Sequence, residues 1–146
     1  MVQTIAVGTD GSETAKQAVA FAMDMAERYG AKLVLASAYR PVSETRLTGE
    51  RDRAPADVQW SINPNQEVEA TLREAEELAR ERGLTNLASE ARTGDPADVL
   101  VDIANDQHAD ILVVGNQGMH RRVLGSVPNG VSHKAQCSVM IVKTDG

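Results

Sequence analysis

Apolar residues follow two rhythms along this chain. Strand-like runs occupy residues 4–9, 32–39, 86–93, 110–115 and 137–144, and between them apolar positions recur at helical spacing. A run such as Ile111, Leu112, Val113 and Val114 has no polar alternation, which predicts a strand covered on both faces. Between the first two runs, Ala15, Ala18, Val19, Ala22, Met25, Ala26 and Tyr29 mark the inner stripe of a helix. Ser12 and Glu13 open that helix and Gly30 is placed to cap it. A second helix is predicted over 65–82, with Val68, Leu72, Ala75 and Ala79 inside and Gly83 as its stop. Its outer side carries Glu67, Glu69, Glu74, Glu76 and Glu77 among Arg73 and Arg80, a solvated face rather than a binding site. A third helix starts at Asp95 and Pro96, the proline sitting in the first turn where its missing N–H costs little, and buries Leu100, Ile103 and Ala104. A fourth follows Ser126 and ends near Ala135. The alternation β-α-β-α-β-α-β-α-β calls for an α/β domain with a mainly parallel sheet, right-handed crossovers and helices on both faces.

One stretch, 40–63, follows neither rhythm. It holds Pro41, Pro55 and Trp60, with Pro64 just beyond, and a connection that long in a compact domain tends to be functional or mobile. The whole chain, 1–146, is of a length for one domain. Its net charge of −6 argues against a nucleic acid or an anionic membrane as partner, and a bound phosphate would need local donors. Phe21, Tyr29, Tyr39 and Trp60 are the only aromatic residues, too few for a base-stacking platform. A single cysteine, Cys137, excludes an internal disulfide and fits a reducing compartment. No basic leader follows Met1 and no apolar run reaches membrane length, so a cytoplasmic location is expected.

The candidate chemistry lies at strand ends. In open α/β sheets ligands sit beyond the carboxyl ends of strands, where the strand order reverses. Three glycine-containing turns occupy such places: Gly8 to Ser12, Gly94 to Pro96, and Gly115 to Ser126. In the last, Gly115, Gly118 and Gly125 let backbone approach a ligand, and Ser126 opens a helix whose unpaired N–H groups favour an anion. Ser126 also reads as a helix cap. Pro128 removes one amide, so the anion site rests on Gly125, Ser126 and Val127. Asp10 suits either an Asx turn or a ribose hydroxyl or metal. Arg121 and Arg122 lie in the loop, where one of them can face a phosphate. His108, His120 and His133 share no metal-ligand spacing with Cys137, and that thiol has no evident base.

These motifs together resemble the universal stress protein family. The resemblance rests on Gly115, Gly118, Gly125 and Ser126, on Thr9 to Ser12, on Gly94 to Pro96, and on the runs that match the family's fourth and fifth strands. It implies an open parallel five-stranded sheet in the order 3-2-1-4-5, of the adenine nucleotide alpha hydrolase type. It also implies a homodimer paired through the last strand, near Val139 to Val142, and an adenine nucleotide as ligand. Ala38 and Val114 would flank the base, with Asp10 near the base or ribose and Thr9 beside it. Members that bind ATP have two glycines separated by two residues, then nine residues, then Gly-Ser or Gly-Thr. Here Gly115 and Gly118 keep the first spacing, but only residues 119–124 precede Gly125 and Ser126. The ligand is expected to be ATP, AMP or cyclic AMP. The loop, three residues short, wraps a triphosphate less well and shifts the balance towards a monophosphate, a cyclic nucleotide or no nucleotide, with Mg²⁺ an optional companion whose ligands the sequence does not name.

The expected function is therefore a non-catalytic nucleotide-binding stress or signalling protein. A nucleotide-free dimeric scaffold is the alternative, and the short loop favours it. A slow nucleotide hydrolase ranks lower, since no Walker lysine follows the glycines and no general base stands beside a nucleophile unless His120 or Asp10 supplies one. A phosphoryl receiver would need a carboxylate cluster for Mg²⁺, and the first strand ends on one acidic residue only.

Overall fold

The computed structural model describes residues 1–39, 64–116 and 125–144. Within them the elements alternate as β1 (Thr4–Gly8), α1 (Glu13–Tyr29), β2 (Lys32–Tyr39), α2 (Pro64–Glu81), β3 (Leu87–Thr93), α3 (Pro96–Asp106), β4 (Ile111–Asn116), α4 (Ser126–Lys134) and β5 (Ser138–Lys143). The sheet is parallel throughout, in the order β3-β2-β1-β4-β5, as expected. The segment 40–63, with Pro41, Pro55 and Trp60, lies outside the described residues.

The unbroken apolar runs have a direct physical result. Successive side chains of a strand point to opposite faces, so each central strand feeds two cores. Ile5, Val7, Leu33, Leu35 and Val113 pack with Ala18, Ala22 and Met23 of α1 and Leu72 and Ala79 of α2. Ala6, Val34, Ala36, Leu112 and Val114 pack with Leu100 and Ile103 of α3 and Val131 of α4. Ile5, Leu33, Leu35 and Leu112 are wholly buried, each removal from water contributing about 1.5–3 kcal/mol.

The signals of α1 and α3 acted as the sequence required. Ser12 caps α1, its hydroxyl accepting from the Ala15 N–H at 3.1 Å, and Gly30 closes the helix at φ 63. Asp95 caps α3 by accepting from the Asp98 N–H at 3.4 Å, with Pro96 in the first turn. Arg82, just past α2, binds Asp24 and Glu27 of α1, tying the two helices of one face. Strand limits differ from the runs by a residue or so. Thr9 leaves β1 because its own hydroxyl accepts the Gly11 N–H at 3.2 Å and turns the chain. Asp110 stays outside β4, its carboxylate accepting from the Gln3 and Thr4 N–H groups at 2.7 and 3.0 Å. Asn116, expected beyond the strand, instead extends β4 and pairs with Lys143.

Those two backbone donors hold the Asp110 carboxyl below its ordinary range. A depressed folded-state value gives stability that is present above the unfolded carboxylate range and is lost as pH falls through the folded value. Asp110→Asn should therefore flatten the loss of stability below about pH 4. Denaturant titrations of both proteins from neutral to acid pH check this, and parallel acid limbs would contradict it.

Candidate functional site

The strand order reverses between β2–β1 and β4–β5, and a crevice of about 310 Å³ opens at the carboxyl ends of β1 and β4. That size is at the lower end of ligand sites, roughly 300–1,000 Å³. Its walls come from Thr9 and Asp10 after β1, Ala38 of β2, Val114 and Gly115 of β4, and Gly125, Ser126 and Val127 at the start of α4. Eight residues singled out in the sequence are thus brought together. Gly118, Arg121 and Arg122, with His120, lie outside the described residues.

Each wall is held by the local chain. Thr9 is tied twice to β2: its N–H donates to the Ala36 carbonyl at 2.9 Å, and its carbonyl accepts from the Ser37 hydroxyl at 2.7 Å. The turn that follows is an Asx turn, with the Asp10 carboxylate accepting from the Ser12 N–H at 2.9 Å. Asp10 is nevertheless exposed and lines the crevice, so one carboxylate serves the turn and still faces the opening. Gly11 adopts φ 82, and a Cβ there would lie 2.9 Å from the Thr71 hydroxyl of α2. Gly115 brings β4 against α1, where a Cβ would lie 3.3 Å from the Thr14 carbonyl.

The α4 end corrects two expectations. Ser126 is not the cap: Gly125 occupies that position, no side chain caps the helix, and Ser126 is its exposed first residue. Nor does Gly125 offer its amide to a ligand, because that N–H donates to Asn116 Oδ1 at 2.8 Å. A Cβ on Gly125 would lie 3.3 Å from the same oxygen and 3.6 Å from the Pro128 ring, so glycine serves close packing there. The backbone donors left in the first turn are those of Ser126 and Val127, since the first helical bond, Asn129 N–H to the Gly125 carbonyl, begins beyond them.

Sequence reasoning missed Asn116 and several lining residues. Thr14 and Ala15 of α1 and Leu100 of α3 were not foreseen, while Ser12, Pro96 and Pro128, from turns the sequence did mark, line the crevice with them. Three helix N-termini therefore converge on it, each carrying a partial positive charge. Among the described lining residues none is Lys or Arg, and Asp10 is the only charged one. Asn116 is fully buried, and its Nδ2 has no hydrogen-bond partner among the described residues. A polar residue continuing a strand buried on both faces was the signal that could have found it. No three His, Cys, Asp or Glu side chains gather as a metal site among the described residues. Burial pushes the Cys137 thiol up, away from the thiolate a nucleophile needs.

The crevice depends on the spacing of α3 and α4. Gly130 of α4 faces Ala97 of α3, and a Cβ on it would lie 2.8 Å from the Ala97 Cβ, an atom that cannot rotate away. Gly130→Ala should cost about 1–3 kcal/mol in overpacking, offset by at most about 1 kcal/mol of helix propensity. The expected net result is lower stability in urea titration, and an unchanged or raised midpoint would contradict it.

Comparison with known proteins converges on one group. Residues 1–143 match the universal stress protein family. A universal stress protein of Mycobacterium tuberculosis is 38% identical over 145 residues, covering 97% of each chain. A universal stress protein solved in complex with cAMP superposes with a TM-score of 0.72 at 36% identity, over 99% of this chain and 98% of that one. One from Archaeoglobus fulgidus, in complex with dAMP, shares the fold at a TM-score of 0.70 and 23% identity, over 98% of this chain and 100% of that one.

Proposed function

The chain belongs to the universal stress protein family, and on that premise we propose that it is a non-catalytic stress or signalling protein that binds an adenine nucleotide between β1 and β4. The observation that carries this reading is the crevice itself: three helix N-termini meet in it, and no cationic side chain stands among its described walls. Such a site suits one phosphate better than three. Ser126 and Val127 supply amides, the Ser126 hydroxyl supplies a further donor, and Ala38 and Val114 offer small apolar surfaces for a base beside Thr9 and Asp10. A relative of 36% identity holds cAMP, which favours a monophosphate here. Mg²⁺ would accompany a longer phosphate chain, with Asp10 the carboxylate nearest to hand among the described walls.

AMP, cAMP and ATP should all bind in calorimetry, with ATP no more than about tenfold tighter than AMP, a difference of about 1.4 kcal/mol. The loop between Gly118 and Gly125 is three residues short of the ATP-binding pattern, so it offers less reach past the first phosphate, and Arg121 or Arg122 offsets part of that. Ala38→Phe, which fills the base end, and Gly125→Val, which crowds Asn116, should each abolish binding. An ATP advantage of about a hundredfold would show that the site still grips a triphosphate and would contradict this reading. Absence of binding by any of the three would favour a nucleotide-free scaffold.

The same reading includes a homodimer. β5 is the last strand of the sheet, so its outer backbone groups have no partner strand among the described residues of one chain. Val139 and Ile141 pack on the α3–α4 side and Val142 on the other, while Met140 remains 37% exposed. Pairing β5 with a second copy would cover both the edge and Met140. Sedimentation at micromolar concentration should show twice the 15.7 kDa chain mass, and a monomer alone would contradict it.

A further inference from the structure

Asn116 is fully buried, yet it makes a single side-chain hydrogen bond among the described residues. Its Oδ1 accepts from the Gly125 N–H at 2.8 Å across nine positions of chain, joining the end of β4 to the cap of α4. Its main-chain carbonyl accepts from the Thr144 hydroxyl at 3.1 Å, anchoring it to the residue after β5. Its Nδ2, a donor of two hydrogens, has no partner among the described residues. Packing alone does not explain this choice, because an apolar side chain of the same size would avoid burying the unpaired Nδ2. What only the amide supplies is the acceptor for Gly125. Buried polar groups kept at a cost in stability mark positions where geometry matters more than stability.

We propose that Asn116 is the positioning residue for the phosphate end of the site. By taking the Gly125 N–H it fixes Gly125 as the cap of α4 and aims the amides of Ser126 and Val127 into the crevice. It acts through Gly125, since Asn116 itself does not line the crevice. The assignment rests on the nucleotide reading above and adds a division of labour to it. Asn116 governs affinity for phosphate and leaves the base end, at Ala38 and Val114, untouched.

The test compares AMP with adenosine on the full chain. In calorimetry Asn116→Ala should lose about tenfold or more in AMP affinity while adenosine stays within about twofold of wild type. Equal losses for AMP and adenosine would mean general structural damage and would overturn the proposal, as would undiminished AMP binding. A second measurement on the wild type stands even if that variant does not fold. Amide NMR should show the Gly125 proton protected from exchange before and after AMP, with Ser126 and Val127 carrying the large shifts on AMP and small ones on adenosine. A Gly125 amide that exchanges freely, or that shifts most on AMP, overturns the assignment. Wild type that binds neither ligand overturns the nucleotide reading itself, and this proposal with it. Nucleotide binding without the split between AMP and adenosine overturns this proposal alone.

Discussion

Strands β1, β2 and β4 present little surface to water. Ile5, Ala6, Val7, Leu33, Val34, Leu35, Leu112 and Val113 are all wholly buried, so neighbouring residues on one strand belong to opposite cores. Backbone groups so placed have no water to bond and are satisfied by adjacent parallel strands. Parallel neighbours need crossovers, and the crossovers are the helices that cover both faces. From this one constraint the geometry of the site follows. Every strand ends at the same edge of the sheet, and every following helix begins there.

That edge is also where an acidic protein can receive an anion. The chain carries a net charge of −6, and the one charged side chain among the described crevice walls is itself negative. Among the described walls, any attraction for an anion comes from backbone dipoles and neutral donors. The first turns of α1, α3 and α4 meet at the crevice, but many of their donors are already engaged: Ser12 N–H by Asp10, Ala15 N–H by the Ser12 hydroxyl, Asp98 N–H by Asp95, and Gly125 N–H by Asn116. Pro96 and Pro128 have no N–H to give. Among the described residues the first turn of α4 thus keeps the amides of Ser126 and Val127 outside any such bond.

The helices hold these amides in place through contacts far from the crevice. Lys134, in the last turn of α4, bonds Asp98 in the first turn of α3 at 2.5 Å, and Gly130 lets the two helices approach to Cβ contact distance at Ala97. Lys134 also sits where the α4 dipole is negative, which reinforces its position. On the other face Gly11 rests on Thr71 of α2, so the β1–α1 turn is supported by a helix that is absent from the described crevice walls.

The sequence by itself determined the element order, the two-faced burial of the central strands and the caps at Ser12, Gly30 and Asp95. These depend on local spacing and local hydrogen bonds, which a linear pattern carries. It also indicated Thr9, Asp10, Gly115 and Gly125, because glycine turns after buried strands have few other uses. What the tertiary structure decided is which atoms remain free. Ser126 reads as a cap in any local view, and only the approach of Asn116 from β4 gives that position to Gly125 and withdraws its amide. Asn116 itself looks like the first residue of a loop until Lys143 pairs with it across the sheet. Leu100 and Pro96 read as core and helix start, and they become crevice walls only because α3 packs over the end of β1. Hydrogen bonds between residues distant in the chain leave no periodic trace in the sequence, so the identity of the free donors belongs to the fold.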